Sequence, residues 1–275
     1  MRHTSRMPRR GFLKSTAAAV AAPYVVPATV LAAPGRPGAN DCARVGLIGS
    51  GHRSHDLTRE SPPDLRLIAV ADCDLRQIAT YRTAAKEFPA SVVAEDCSQY
   101  QDYREMFDKE KLNGVFVATT VHARTLICLD AMRAGLDVYA EKPLTLTIEE
   151  GQYLVRAEKK YGSVFQTGTQ QRSVAINNFG SDLVRNGAIG KVHTVICPNF
   201  IGPEPRPQLP SEPTPSQMNW DLWCHQTDLI PYSAALHPGL GRWGRYRDYD
   251  GGGLGWGVTG WGAHAFDQVQ RALGT

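Results

Sequence analysis

An α/β fold is what this sequence of 275 residues predicts: a parallel sheet covered by helices on both faces, followed by a second α/β region. Three observations lead there. Short apolar runs alternate with helical periods from Arg44 to Tyr161. A glycine-rich turn joins the first run to the first helix. The texture then changes after Lys191, where prolines, tryptophans and histidines replace the regular alternation.

The elements follow in order. Arg44–Ile48 and Leu65–Ala71 are strand candidates, the second running straight into Asp72. Leu75–Phe88 has an amphipathic helical period, Val92–Ala94 reads as a short strand, and Tyr103–Asp108 as a short helix. Gly114–Ala118 is a buried strand rich in β-branched and aromatic residues. His122–Ala134 is helical and stops at Gly135, a residue that takes the left-handed conformation without cost. Asp137–Ala140 is a further strand. Thr147-Ile148-Glu149-Glu150 has the form of a capping box, opening a helix that runs to about Tyr161 and Gly162. Strands separated by helices in this rhythm build a parallel sheet. Beyond it, Lys191–Cys197 alternates like a strand, and Trp220–Tyr249 has the composition of a substrate-facing surface. Gly251–Gly257 is glycine-dense.

Composition limits the function classes. The net charge of +3 is concentrated at the N-terminus, where residues 1–32 hold Arg2, Arg6, Arg9, Arg10 and Lys14 and no acid. The remainder is therefore close to −2, and nucleic-acid binding has no electrostatic basis. Arg9-Arg10-Gly11-Phe12-Leu13-Lys14, before an alanine-rich apolar stretch, has the form of a twin-arginine export signal. Residues 1–32 are expected to be a cleaved leader and 33–43 a linker, with a periplasmic destination and no membrane span once the leader is removed. Pro23 and Pro27 interrupt the apolar run and speak against an anchor helix. Six cysteines include no Cys-x-x-Cys pair, and most are expected to be buried thiols.

Three motifs carry chemistry. Gly49-Ser50-Gly51-His52-Arg53-Ser54 lies between a strand and a helix, with Ser54 where a dinucleotide-binding fingerprint has its third glycine. Gly49 permits the tight turn, and Gly51 lets a pyrophosphate approach the helix N-terminus. Asp72, about twenty residues further on, is placed to accept ribose hydroxyls. It favours NAD over NADP, because a 2′-phosphate would meet its charge, although Arg76 lies close by. Taken alone, each feature is as well explained by an ordinary turn. Glu141-Lys142-Pro143 falls at the carboxyl end of a strand, where open parallel sheets collect ligands, and a lysine there can deprotonate a hydroxyl. Gly260-Trp261-Gly262-Ala263-His264-Ala265-Phe266-Asp267 puts His264 and Asp267 on one helix face, and a histidine is suited to proton shuttling. Without other support, a packing histidine is an equal reading. His225 and His237 share no metal-type spacing with His264, and no metal site is expected.

Gly49-x-Gly51, Glu141-Lys142-Pro143, Thr167-Gly168-Thr169-Gln170-Gln171-Arg172, Trp220-Asp221-Leu222-Trp223 and Gly262-Ala263-His264-x-x-Asp267 stand in the order of the Gfo/Idh/MocA oxidoreductases, whose exported branch the chain resembles. The resemblance implies an N-terminal Rossmann domain over 44–163. It also implies an α/β substrate and oligomerisation domain over 164–275, built on a large, open, mostly antiparallel sheet that is incomplete here, and homo-oligomers among full-length relatives. It implies NAD(P)-linked chemistry on a sugar or sugar derivative, with Lys142 and His264 at catalytic positions. Gly49, Gly51, His52, Arg53, Asp72, Thr119, His122, Glu141 and Lys142 are expected around the cofactor. Gln171, Arg172, Trp223 and Asp267 are expected around a carbohydrate substrate. The sequence departs from the pattern at Gly260, where many members have an aspartate. Thr119-Thr120-Val121-His122-Ala123-Arg124 lacks the usual proline and second histidine. Export further implies that NAD is retained during turnover. Two alternatives are a redox-assisted glycoside hydrolase or lyase using NAD transiently, and a non-catalytic carbohydrate-binding remnant.

Overall fold

The computed structural model describes residues 41–89, 92–198, 202–250 and 260–274. Nearly all of these belong to one compact unit, Ala43–Thr275. The leader and most of the linker read from the sequence, the glycine-dense stretch 251–257, and Trp256 lie outside the described residues.

Six strands form one sheet in the order β3-β2-β1-β4-β5-β6, every pair parallel. They are β1 (Ala43–Ile48), β2 (Leu65–Ala71), β3 (Val93–Tyr100), β4 (Gly114–Val117), β5 (Asp137–Glu141) and β6 (Phe165–Gly168). The connecting helices are α1 (His52–Arg59), α2 (Leu75–Ala84), α3 (Tyr103–Lys109), α4 (Val121–Arg133) and α5 (Ile148–Tyr161). Leu47 in β1 and Ala69 and Val70 in β2 are fully shielded, as both-face coverage of a parallel sheet requires. One apolar core packs Ile48, Val115, Val117 and Val138 against Ile127, Cys128, Ala131 and Met132 of α4. The other packs Leu47, Leu67 and Val70 against Ile78 and Tyr81 of α2. The expected capping box starts α5: Glu150 N–H donates to Thr147 Oγ1 at 3.2 Å, and the Glu150 carboxylate accepts from Thr147 N–H. Gly162 ends that helix in the left-handed region at φ 70°.

The sequence reading needs four corrections. β3 is eight residues long, not three, because Leu67–Ala71 pairs along it as far as Tyr100. β6 pairs with β5 through Val138↔Phe165 to Glu141↔Gly168, so the first sheet extends past the boundary predicted at 163. Lys191–Cys197 alternates in sequence but is not a strand; among the described residues it has no ladder partner. The six-stranded parallel sheet is accordingly the one sheet among the described residues, and no open antiparallel sheet follows it there.

After β6 come α6 (Ala175–Arg185), α7 (Trp220–Cys224), α8 (Leu240–Trp243) and α9 (Gly262–Leu273). α6 and α9 pack on each other, with Ser181 Oγ donating to Gln268 Oε1 at 3.0 Å. Residues 202–250 gather around a third core of Met218, Trp220, Trp223, Tyr232, Leu236, Tyr246 and Tyr249. The Trp220 and Trp223 rings are stacked with centroids 4.3 Å apart. Trp220–Tyr249, read as a substrate-facing surface, is thus largely the interior of this cap, because large aromatics release most free energy when shielded from water. All six cysteines are free thiols. Among the described residues no helix is long and apolar enough to cross a membrane.

The cap is fixed to the sheet. An antiparallel bridge joins Asp74 to Met218, flanked by Leu75 N–H to Gln217 O at 3.0 Å and Asn219 N–H to Cys73 O at 2.8 Å. Gln101 donates to both Cys73 O and Gln217 O. Leu126 N–H and Glu150 are tied to Gln226.

Candidate active site

A cleft of about 680 Å³ lies along the carboxyl ends of the strands, between the sheet and the cap. Each strand delivers its following loop to this edge. Gln101 and Tyr103 follow β3, Asp72 and Cys73 follow β2, and Gly49 to Arg53 follow β1. Thr119 and Thr120 follow β4, Glu141 to Pro143 follow β5, and Gln170 follows β6.

The glycine turn has two separate physical roles. Gly49 sits at φ 86°, and a Cβ there would lie 2.8 Å from the Ala118 carbonyl carbon, so β1 and β4 could not approach as they do. Gly51 has ordinary dihedrals, and a Cβ on it would meet nothing within 4 Å. The missing side chain leaves open cleft in front of α1. Neither a capping side chain nor an acidic residue occupies the first turn of that helix. An anionic group fits there, at the positive end of the helix dipole. Ser54 replaces the third glycine without loss of packing: it is fully buried and its hydroxyl donates to Gly51 O.

Asp72 is half-buried at the end of β2. Its Oδ2 accepts from Ser50 N–H at 2.8 Å and Ser50 Oγ–H at 2.9 Å, and its Oδ1 from Asp74 N–H at 2.9 Å. Burial pushes its carboxyl above the usual range despite these bonds. Two carboxylate oxygens offer about four acceptor positions, so capacity remains for a ribose hydroxyl. Asp74, which sequence reasoning passed over, is completely buried. It accepts from Arg76 at 2.8 and 2.7 Å and from His237 Nε2 at 3.0 Å, and caps α2 through Arg76 N–H. Burial alone would raise its carboxyl, but these donors outweigh burial and hold it below the usual range.

At the other end, Glu141 is nearly fully buried and accepts from Arg53 Nε at 2.8 Å. Arg124, inside α4, is 3% exposed. Its guanidinium donates to the carbonyls of Glu141 (2.7 Å), Pro143 and Thr119, joining the loops after β4 and β5 around Lys142. Lys142 is half-buried, and its amine is held below the ordinary lysine value. Burial is the main cause; Glu141 opposes the shift, while Arg124 and Arg53 add to it.

Of the expected cofactor residues, Gly49, Gly51, His52, Arg53, Asp72, Thr119, Glu141 and Lys142 line this one cleft. His122 does not. It is completely buried, Nε2–H donating to Trp223 O at 2.7 Å, with its ring packed between Trp223 and Tyr249. Burial holds it down to about 4, so it is a neutral core histidine that bolts the cap to α4.

The expected substrate residues divide. Trp223 borders the cleft while being 3% exposed. Arg172 and Asp267 form a salt bridge at 2.7 Å, and Gln171 accepts from Asn177, all outside this cleft. Gln171 and His264 line a second cavity, between α6, α9 and residues 189–196. His264 is buried, and burial together with the nearby Lys142 charge holds it down to about 4. Lys142 and His264 are therefore electrostatic neighbours on the borders of different cavities. Arg124, Asp74, His225 and His237 were not singled out as site residues; a charged residue inside an apolar helix was the visible signal for Arg124.

Residues 43–169 match the family model described as an oxidoreductase family with an NAD-binding Rossmann fold. This segment is a Gfo/Idh/MocA-family domain. Across 148 residues (53% of this chain and 36% of the relative) the chain is 26% identical to a 2,7-anhydro-N-acetylneuraminate hydratase of Mediterraneibacter gnavus. It is 23% identical to the rhizopine catabolism protein MocA of Rhizobium meliloti, over 71% of this chain and 58% of that one. Among solved structures, a myo-inositol 2-dehydrogenase from Lactobacillus plantarum is 26% identical, with a TM-score of 0.47 over 55% of this chain and 43% of that chain. The chain thus spans 36% and 58% of the lengths of these two curated relatives.

Proposed function

We propose that this protein is an NAD-linked oxidoreductase acting on a hydroxyl of a sugar or sugar derivative, with the cofactor retained between turnovers. The observation that carries the reading is the shared cleft: Gly51, Asp72 and Lys142, from three different strand ends, face one space. NAD, when bound, supplies the acceptor for hydride. The protein's own residues do the rest. The α1 N-terminus and Gly51 would hold the pyrophosphate, and Asp72 a ribose hydroxyl. Lys142 would take the proton of the substrate hydroxyl, a role that the downward shift of its amine favours. Arg124 keeps the Lys142 backbone in place.

NAD is favoured over NADP by charge. The Asp72 carboxylate at the end of β2 would repel a 2′-phosphate, and the nearby Arg76 is already committed to Asp74. Retention is supported by the cap, which spans the cleft and is anchored by Asp74, Cys73 and His122. The leader motif, and with it a periplasmic location, fits a cofactor that need not exchange.

The test is to denature the purified protein and weigh the dinucleotide released. NAD(H) approaching one per chain is expected; no dinucleotide together with no affinity for added NAD would refute the proposal. Lys142→Ala should retain the cofactor and lose at least 100-fold in kcat on a responsive polyol or sugar. Unchanged turnover would remove Lys142 from the chemistry.

A further inference from the structure

Glu141 is the sequence neighbour of Lys142 and the strongest of the charges that act to keep a proton on its amine. A carboxylate so placed would ordinarily take the lysine ammonium as its partner, and a lysine held in a salt bridge makes a poor base. Here it does not. Among the described residues the Lys142 amine is in no salt bridge, and Glu141 pairs instead with Arg53 of α1.

Both Glu141 oxygens are engaged away from that amine. Oε1 accepts from Arg53 Nε at 2.8 Å, and Oε2 from the Lys142 backbone N–H at 3.2 Å. The carboxylate sits in a fitted place: its side chain is 3% exposed, and a Cβ on Gly168 of β6 would come within 3.0 Å of Oε1. Arg53 is braced in turn by Asp56, three residues on in α1, at 3.3 Å. The other charges acting on the lysine amine are Arg124 from α4 and Asp250 from the cap, and His264 of α9 lies within reach of the lysine charge. Arg124 turns to the backbone carbonyls of three loop residues. A buried carboxylate needs a cation, and with Arg124 so engaged the two claimants are Arg53 and Lys142.

We infer that Arg53 is a positioning residue: by holding the Glu141 carboxylate on itself and on the Lys142 backbone, it keeps that carboxylate off the Lys142 amine, which stays free to take a proton from the substrate. This asks no contact with cofactor or substrate of Arg53, and it rests on the reading of Lys142 as the proton acceptor.

The experiment follows the Lys142 amine by NMR in the full chain, with neither substrate nor cofactor added. Lysine carrying carbon-13 at Cε is incorporated, and Lys142→Arg identifies the signal by its loss. In Arg53→Gln the released carboxylate should pair with the ammonium and raise the pH at which Lys142 titrates by about one unit, a tenfold gain in proton affinity. Adding Glu141→Gln removes the carboxylate and should cancel that rise. Arg53→Lys keeps a cation for Glu141 and should stay within about 0.3 unit of the wild type. An unmoved titration in Arg53→Gln, or a rise that persists in the double variant, would overturn the inference. If Arg53→Gln does not fold, the wild type labelled at its glutamate carboxyl carbons decides: the Glu141 signal should hold steady while Lys142 titrates, and movement in step with the lysine would overturn the inference. Full turnover by Lys142→Ala would instead sink the reading of Lys142 beneath it, whatever the titrations give.

Discussion

At the scale of single residues, the histidines divide by what their ring nitrogens face. His122 and His264 are both held near 4, the first by burial in the aromatic core, the second by burial and the Lys142 charge. In the unfolded chain each would titrate near 6.5. Below that pH the unfolded state takes up protons that the native state refuses, so stability falls as pH drops from about 6.5 towards 4. Urea midpoints measured at pH 7.5 and 5 should show this loss, and His122→Gln should make it smaller. An unchanged difference would mean that His122 is protonated in the fold. The place of Lys142 on the cleft was legible in sequence because Glu141-Lys142-Pro143 follows a strand at its carboxyl end, the edge where a parallel sheet opens. His122 was misread for the opposite reason: sequence order put it at a helix start facing the cleft, but its side chain points into a cap formed a hundred residues later. Arg124 illustrates the same limit, since its three carbonyl partners belong to two different loops.

At the scale of elements, the turn between β1 and α1 separates folding from binding. Gly49→Ala puts a Cβ against the Ala118 backbone at positive φ and should cost about 2 kcal/mol or more in unfolding free energy. Gly51→Ala adds a methyl group to empty cleft, so the unfolding midpoint should hardly move while NAD affinity falls at least tenfold. Denaturant titration and calorimetry on the two variants check the split; a Gly51→Ala protein with normal affinity would mean the pyrophosphate does not pass there. Most elements of the parallel sheet were legible, because buried strands and capped helices announce themselves over a few residues. β6 was assigned to the next domain, since four residues carry little periodicity and only pairing with β5 shows where they belong. Residues 191–197 failed in the other direction: alternation invites a strand, but a strand also needs a partner.

At the scale of the whole molecule, the cap is an addition to the Rossmann sheet that depends on few attachments, and Asp74 is the centre of them. It joins Arg76, His237, the start of α2 and the bridge to Met218. Asp74→Asn keeps a capping side chain but removes the charge paired with Arg76 and the carboxylate that accepts from His237. It should cost roughly 2–3 kcal/mol. Hydrogen exchange should show the loss locally, with faster exchange at Leu75 and Asn219 N–H and unchanged protection in β1 and β4. Uniform loss across the sheet would mean that cap and sheet unfold as one. This arrangement was invisible in sequence because its partners are separated by more than 140 residues and share no motif.

The positive-φ backbone at His225 marks a point where the chain gives up conformational ease to keep a ring in place. Glycine there would relax the turn that ends α7 but lose the contact with Tyr103, so one substitution would ease the backbone and loosen the tie between α3 and the cap.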